Sequence, residues 1–226
     1  MAEAHGVEGP LTPEGFAGIL PVSRETLARL SLFVELLRAK NEVMNLVSPA
    51  SLGDVWRRHI LDSAQVYPLI PKSARNLCDV GSGGGFPGLV LAAMAVERGD
   101  IHVTLIESIG KKCEFLREAA SAMGLAERVR VAHGRAEDQP KAAFDVMTAR
   151  AVAPVEMLLG YGAHLVRKGG CVLLLKGAKA QDELTAARRS WKMSVTSVAS
   201  LSDPSGTLLI VKDFSRVTRN DGRAKK

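Results

Sequence analysis

The stretch Cys78–Gly88, CDVGSGGGFPG, decides the fold of this chain. It lies between a short apolar run typical of a β-strand and an apolar run with helical spacing. Five of its eleven residues are glycine, and without Cβ atoms the backbone can approach another group closely. In an open α/β sheet, a ligand binds beside the loop that joins the first strand to its helix. The stretch therefore predicts a ligand-binding loop.

Three kinds of ligand loop compete for this pattern. A triphosphate loop requires a lysine and a serine or threonine after the glycines, whereas Phe86 follows them here. A dinucleotide loop requires GxGxxG, and its third glycine would fall on Phe86. Gly81, Gly83 and Gly85 give GxGxG instead. A tight turn without a ligand remains an alternative, although five glycines exceed what a turn needs.

Acidic residues around the loop indicate a nucleoside ligand. Asp79 stands two residues before the first glycine and completes the [DE]xGxGxG signature of S-adenosylmethionine-dependent methyltransferases. Glu107, at the end of the second predicted strand, is placed to accept hydrogen bonds from both hydroxyls of a ribose. After the third strand, the backbone of Ala136 and Glu137 would flank the adenine ring, and Asp138 would bond its amino group. The predicted cofactor is S-adenosylmethionine.

Strands and helices alternate after residue 76, which predicts a parallel sheet with helices on both faces. Strands are predicted at about 76–80, 101–106, 129–132, 144–149, 170–176, 194–201 and 207–212, and helices at about 88–97, 111–123, 155–166 and 179–189. The turn LSDPSGT (201–207) joins the last two strands into a hairpin. We predict an α/β fold of the Rossmann-like class I methyltransferase type. Its seven-stranded, mostly parallel sheet has one antiparallel strand and follows an N-terminal helical segment.

The 226 residues divide into four predicted segments. These are a loosely ordered N-terminus with at most one short helix (1–22), an N-terminal helical segment (23–72), the methyltransferase domain (73–213) and a basic, disordered tail (214–226). The net charge is +6. Six basic and two acidic residues lie between Val211 and Lys226. Because this segment accounts for most of the net charge, the overall charge is weak evidence for RNA binding.

Composition points to a cytoplasmic protein. Cys78, Cys113 and Cys171 are widely spaced and form no CxxC pair, so we expect buried thiols rather than a disulfide framework or a zinc site. No apolar run approaches the roughly 20 residues that span a bilayer, and the N-terminus lacks a secretory pattern. We therefore expect no membrane association, no metal and a monomer.

The sequence MTARAVAP (147–154) at the end of strand four limits the methyl acceptor. Exocyclic base amines use an Asn or Asp followed by two prolines there, and methylation of cytosine C5 requires a nucleophilic cysteine in a loop. Neither is present. A ring nitrogen with a free lone pair, such as guanine N7, needs no base and no covalent intermediate. Arg150 and Lys176, at the ends of strands four and five, are the candidate catalytic residues and suit a polyanionic substrate.

Seven segments together resemble the RsmG family (GidB, glucose-inhibited division protein B) of 16S rRNA guanine-N7 methyltransferases. They are NEVMNLVSP (41–49), RRHILDS (57–63), DVGSGGGFPGLVLA (79–92), LIESIGKKCEFL (105–116), GRAED (134–138), TARAVAP (148–154) and LLLKG (173–177). The resemblance extends from about Ser23 to Lys212. RHILDS, and FPG after the glycines, carry it most specifically.

The resemblance implies methyl transfer from S-adenosylmethionine to N7 of one guanine in the decoding-region loop of 16S rRNA. It places cofactor contacts on Gly81, Phe86, Ala136, Glu137 and Arg150. Glu107 matches an acidic position that is often Asp. The candidate contacts to substrate RNA are Arg58, His59, Asp62, Arg135 and Lys176. The expected partner is 16S rRNA, the small ribosomal subunit or its assembly intermediate. A small-molecule methyltransferase and an RNA-binding ribosome-assembly factor remain the alternatives.

Overall fold

The computed structural model describes residues 9–217. Its seven strands are β1 Asn76–Val80, β2 His102–Glu107, β3 Val129–His133, β4 Phe144–Arg150, β5 Val166–Lys176, β6 Trp191–Ala199 and β7 Thr207–Arg216. They form one sheet in the order β3-β2-β1-β4-β5-β7-β6. Only β7 runs antiparallel to its neighbours, so the predicted fold is confirmed.

Eight α-helices surround the sheet in the described residues. They are α1 Pro13–Ile19, α2 Arg24–Asn41, α3 Pro49–Leu52, α4 Asp62–Ala64, α5 Gly88–Met94, α6 Gly110–Ala122, α7 Val155–Leu165 and α8 Ala180–Ala187. Short 3-10 helices occur at Tyr67–Leu69, Ala95–Arg98 and Ala136–Asp138. A π-helix, Trp56–Leu61, precedes α4.

The strand order reverses beside β1, which pairs with β2 on one side and with β4 on the other. The loops that leave β1 and β4 therefore diverge at the carboxyl edge of the sheet. A crevice opens at this topological switch point, which is where ligands bind in open α/β sheets. Both the glycine loop and Arg150 lie there.

The N-terminus contains the one short helix that the sequence allows. The Thr12 hydroxyl accepts the N–H of Gly15 at 3.1 Å and caps α1. On this helix Phe16 is fully buried, with its ring centroid 5.5 Å from that of Trp56. One aromatic side chain therefore anchors residues 13–19, which the sequence did not reveal.

Two apolar clusters cover the two faces of the sheet. One contains the N-terminal helices together with α5 and α6, and the other contains α7 and α8. Within the first cluster, the ring of Phe33 on α2 lies 5.1 Å from Phe86 and 6.5 Å from Phe115. The helical segment and the sheet thus share one core across the predicted boundary between residues 72 and 73.

Two strands of the C-terminal half are longer than their sequence patterns suggest. Strand β5 begins at Val166 rather than near residue 170, and β7, in the C-terminal hairpin, continues to Arg216. Residues 214–216, predicted to belong to the disordered tail, therefore extend the sheet. The remainder of the predicted tail, 218–226, lies outside the described residues. The three cysteines are free and buried, as predicted.

Candidate active site

The first position of the glycine loop, residue 81, is one that only glycine can occupy without strain. Gly81 has a φ of +70°, and a Cβ built on it would lie 2.1 Å from Cγ2 of Val152. Val152 belongs to the segment between β4 and α7, which forms the opposite wall of the crevice. The absence of a side chain at Gly81 therefore sets how closely the two loops approach.

Asp79 and Gly85, which belong to the predicted cofactor signature, support the loop from beneath. Asp79 is fully buried, and its carboxylate accepts the N–H of Gly88 at 3.1 Å and the hydroxyl of Thr148 at 3.0 Å. Burial raises the pKa of Asp79 to about 6. A Cβ on Gly85 would lie 2.6 Å from Cδ1 of Leu89. Neither residue lines a cavity beside the loop.

Two cavities flank the loop. The β2 cavity has a volume of about 440 Å³ and opens toward the ends of β2 and β3. The β5 cavity, of about 410 Å³, lies between the end of β5 and the N-terminal helical segment. Both are lined by Gly81, Gly83, Arg150 and Ala151. A ligand that crosses these shared residues would reach into both cavities.

Glu107 is the principal acceptor of the β2 cavity. One carboxylate oxygen accepts the N–H of Gly83 and the other that of Ile109, both at 2.9 Å. Each oxygen of a carboxylate has two lone pairs, so it can accept a further hydroxyl. Ala136 and Glu137, in the 3-10 helix after β3, line the same cavity. Glu107 therefore suits the hydroxyl donors of a nucleoside, and Ala136 and Glu137 suit its flat ring.

Arg135 lies apart from the other predicted contacts to RNA. It lines the β2 cavity, whereas Arg58, His59, Asp62 and Lys176 line the β5 cavity. Its backbone N–H donates to the Asp138 carboxylate at 3.3 Å. The sequence spacing could not distinguish the two sides of the loop.

The π-helix brings polar side chains into the β5 cavity. Turns of this kind are rare and frequently occur at functional sites. Here Arg58 is exposed at the cavity, while His59 is buried and its ring stacks on that of Phe86, with centroids 4.9 Å apart. Sequence reasoning predicted ordinary helix at these positions, because only tertiary contacts favour the wider turn.

Arg150 contacts several other residues that line the β5 cavity. Its guanidinium carbon lies 4.9 Å from the ring centroid of Phe86. Its Nη1 lies 2.8 Å from Nδ1 of His59, 3.2 Å from the carbonyl oxygen of Arg58 and 3.3 Å from Oδ2 of Asp62. The end of β4 is thereby joined to the π-helix and to the glycine loop.

The hydrogen bonds of His59 define its protonation state. A guanidinium can only donate, so Nδ1 accepts from Arg150. The Ser51 hydroxyl donates its one proton to the carbonyl of Ser48 at 2.7 Å, so Nε2, 2.8 Å from Ser51 Oγ, must carry a proton and donate. Burial, reinforced by the charges of Arg150 and Arg58, lowers the pKa of His59 to about 3. His59 is therefore neutral and offers no positive charge to a phosphate.

This state of His59 predicts a specific pH dependence. In the unfolded chain His59 binds a proton near pH 6.5, whereas in the folded protein it does so only near pH 3, so folding stability falls as pH decreases between those values. The quantity to compare is the unfolding free energy of the wild type minus that of His59→Gln. We expect this difference to decrease by about 1.4 kcal/mol for each pH unit below 6.5.

Urea denaturation of both proteins between pH 7.5 and 5.0 measures this difference. Comparing the two proteins cancels the opposite contribution of Asp79, whose pKa is raised and which favours folding as pH falls toward 4. Imidazole ¹⁵N spectra should show the neutral Nε2–H form of His59 throughout. If the stability difference between the wild type and His59→Gln did not change with pH, the neutral state assigned to His59 would be contradicted.

Asp62 connects the site to the C-terminal hairpin. Its Oδ1 accepts the Ser202 hydroxyl at 2.7 Å and the Gln65 amide at 3.1 Å. Gln65 also accepts the N–H of Leu201 at 2.7 Å. Sequence analysis did not identify Gln65 or Ser202, since neither belongs to a motif and the turn that holds Ser202 is distant in the chain.

Lys176 is engaged by a partner that the sequence did not reveal. Its Nζ lies 2.7 Å from a carboxylate oxygen of Glu183 on α8 and donates to the carbonyl of Ala153 at 2.9 Å. The same Glu183 oxygen accepts the first N–H of α7, from Val155, at 2.9 Å. Lys176 lines the β5 cavity, but its charge is balanced within the protein.

Two classes of feature are absent from residues 9–217. No group of three or more His, Cys, Asp or Glu side chains could hold a metal ion there. No helix in this range is long and apolar enough to cross a membrane.

Comparisons with known proteins support the fold and identify the family. Solved structures show the same fold at low sequence identity. The O-methyltransferase from Bacillus cereus in complex with SAH has a TM-score of 0.58 and 16% identity, over 88% of this chain and 96% of that one. The O-methyltransferase TomG from Streptomyces achromogenes in complex with SAM has a TM-score of 0.57 and 18% identity, over 87% of this chain and 93% of that one.

Curated relatives are much closer in sequence. A protein of Paramagnetospirillum magneticum named ribosomal RNA small subunit methyltransferase G is 46% identical, over 93% of this chain and 97% of its own length. A protein of the same name from Parvibaculum lavamentivorans is 46% identical, over 88% of each chain. The family model GidB, described as rRNA small subunit methyltransferase G, matches residues 26–208. The predicted resemblance is confirmed, and the chain belongs to the rRNA small subunit methyltransferase G family.

Proposed function

We propose that this protein transfers the methyl group of S-adenosylmethionine to N7 of one guanine in the decoding-region loop of 16S rRNA, without a general base. The observation that carries the proposal is the pair of cavities that meet at Gly81, Gly83 and Arg150. One cavity suits a nucleoside, and the other opens beside Phe86 and the polar π-helix. Family membership supports rRNA as the substrate, because the curated relatives are named for it.

The residues of the β2 cavity fit the cofactor. Glu107, with a free lone pair on each oxygen, would hold the ribose hydroxyls, and Ala136 and Glu137 would flank the adenine. The glycine backbone would lie beneath the methionine moiety. When bound, S-adenosylmethionine would supply an electrophilic methyl group, to which guanine N7 would donate its lone pair while the carbon–sulfur bonding pair returns to sulfur.

The β5 cavity contributes positioning rather than proton transfer. Guanine N7 carries no hydrogen, so no base is required, and both ring nitrogens of His59 are already engaged. The guanidinium of Arg150, supported by the buried ring of Phe86, would form a rigid wall against which a planar base can be aligned. Holding the acceptor in line with the methyl group can supply about 7 to 11 kcal/mol of the barrier.

Charges at the rim would orient the RNA. Arg58 is exposed at the mouth of the β5 cavity and would contact a phosphate, while Asp62 fixes Arg150. Lys176 would reach the substrate only by leaving Glu183. Arg135 would contact a nucleotide beside the cofactor rather than the target guanine. The proposal places the enzyme in the cytoplasm, acting as a monomer on 16S rRNA, the small subunit or its assembly intermediate.

Mass mapping of 16S rRNA tests the function. Cells that lack the protein should lose one N7-methylguanine, which the wild-type chain should restore. Glu107→Ala should fail to restore it, since the ribose acceptor is gone, and should bind S-adenosylmethionine at least tenfold more weakly in calorimetry. Glu118→Ala, at a surface ion pair with Lys40, is the control and should restore the modification.

The outcomes separate the three hypotheses. An unchanged modification map would contradict rRNA methylation and favour a small-molecule acceptor. Wild-type protein that does not bind S-adenosylmethionine would favour the assembly-factor alternative.

A further inference from the structure

A third cavity, remote from the glycine loop, lies at the opposite end of the C-terminal hairpin. It has a volume of about 630 Å³, and its lining includes Arg167, Lys168, Trp191, Asp213 and Arg216. Strand β7 starts at Thr207, which pairs with Lys176 at the active-site edge, and ends at Arg216, which pairs with Trp191. At about 3.3 Å per residue, the two ends of β7 lie roughly 30 Å apart.

Positive charge concentrates around this cavity. Lys168 and Arg216 are exposed and have no acidic partner among residues 9–217. Arg188 and Arg189 are also exposed and lie between α8 and the strand that begins with Trp191. Arg167 pairs with Asp145. The acidic residue of the lining is Asp213. Cations outnumber acids, so the surface attracts polyanions.

The walls of the cavity also carry groups typical of nucleic-acid contacts. The guanidinium carbon of Arg216 lies 5.1 Å from the ring centroid of Trp191. Trp191 itself is buried, and its ring holds the exposed guanidinium of Arg216 by a cation–π contact.

We propose that the surface formed by the exposed cations Lys168, Arg188, Arg189 and Arg216 is a second RNA-binding surface, which contacts the phosphate backbone away from the methylated base. The proposal rests on the proposed rRNA substrate. The chain beyond β7 supports it, because the nine residues from Thr218 to Lys226 contain four basic residues and one acidic residue and are attached at this end of the hairpin. Spanning two surfaces roughly 30 Å apart requires extended or folded RNA rather than a single nucleotide.

Salt-dependent binding tests this surface. Lys168→Ala/Arg216→Ala should bind 16S rRNA about tenfold more weakly at 0.15 M salt, and the slope of log affinity against log salt should decrease in magnitude by about one to two. Its affinity for S-adenosylmethionine and its methylation rate at saturating RNA should match the wild type. Arg24→Ala/Arg130→Ala, two exposed arginines on α2 and β3, is the matched control and should keep the wild-type slope.

A second variant that should bind rRNA more tightly than the wild type excludes misfolding as the cause of the changes in binding. Asp213 has a φ of +48°, a conformation that asparagine tolerates well, so Asp213→Asn should fold and bind rRNA two- to threefold more tightly. In a Trp56→Phe background, rRNA should also change the emission of Trp191. Wild-type salt slopes for rRNA binding in both Lys168→Ala/Arg216→Ala and Asp213→Asn would overturn the proposal. A surface that binds an acidic protein rather than RNA would give this result. Wild-type protein that binds rRNA but does not methylate it would overturn the proposed function alone.

Discussion

Replacing Arg150 with methionine should reduce methyl transfer about 100-fold or more. Methionine keeps apolar contact with Phe86 but removes the donor within hydrogen-bond reach of His59, Arg58 and Asp62. Losing a single pre-oriented donor in an active site costs about 10²- to 10³-fold in rate. Since Arg150 lines both cavities, its loss should weaken cofactor binding as well as catalysis.

Single-turnover methylation of 16S rRNA measures the effect. The matched control is Arg98→Met, because Arg98 also donates to backbone carbonyls, those of Lys72 and Ala74, but lies away from both cavities. A double-mutant cycle with Asp62→Asn should show a coupling free energy of about 0.5 to 3 kcal/mol. Wild-type turnover in Arg150→Met would show that the guanidinium does not organise the site.

Gly81→Ala should abolish measurable cofactor binding, with at least a 100-fold loss of affinity. The added Cβ would lie 2.1 Å from Cγ2 of Val152, and a φ of +70° is strained for alanine. The walls at the junction of the two cavities would have to separate, and a misplacement of about 1 Å is enough to cost 10²-fold. The unfolding free energy should also fall by about 1 to 3 kcal/mol.

Calorimetry with S-adenosylmethionine and urea denaturation test this prediction. The control is Gly160→Ala in α7, where a Cβ meets nothing within 4 Å, so stability should rise by roughly 0.5 to 1 kcal/mol. Adding Val152→Ala to Gly81→Ala removes the clash but leaves the backbone strain, so stability should recover only in part. Unchanged cofactor affinity in Gly81→Ala would contradict the crevice geometry.

Local patterns were sufficient to predict the fold. Short apolar strands, helical spacing and the LSDPSGT turn each depend on neighbours in sequence, and together they located β1 and β2 within a residue or two. The glycine loop and Glu107 were found for the same reason. Where prediction fell short, at Phe16 and at the end of β7, the ordering contacts come from distant parts of the chain.

The chemistry of the site was less predictable, because it depends on contacts between distant residues. Arg150 and His59 are separated by 91 positions, and only their contact reveals that His59 is neutral. Likewise, the role of Lys176 changes once Glu183 is seen beside it. Asp79 matches the cofactor signature, yet burial turns it into a support for the loop. Motifs therefore located residues around the crevice, but they did not reveal the contacts that each one makes there.

The bond between Asp62 and Ser202 joins residues 140 positions apart. During synthesis, domains assemble as their residues emerge, from the N-terminus onward. The π-helix emerges early, but the turn that secures Asp62 lies a further 140 positions along the chain. A nascent chain therefore cannot complete its β5 cavity when the π-helix first emerges, and the cavity stays incomplete until residue 202 is also free to fold.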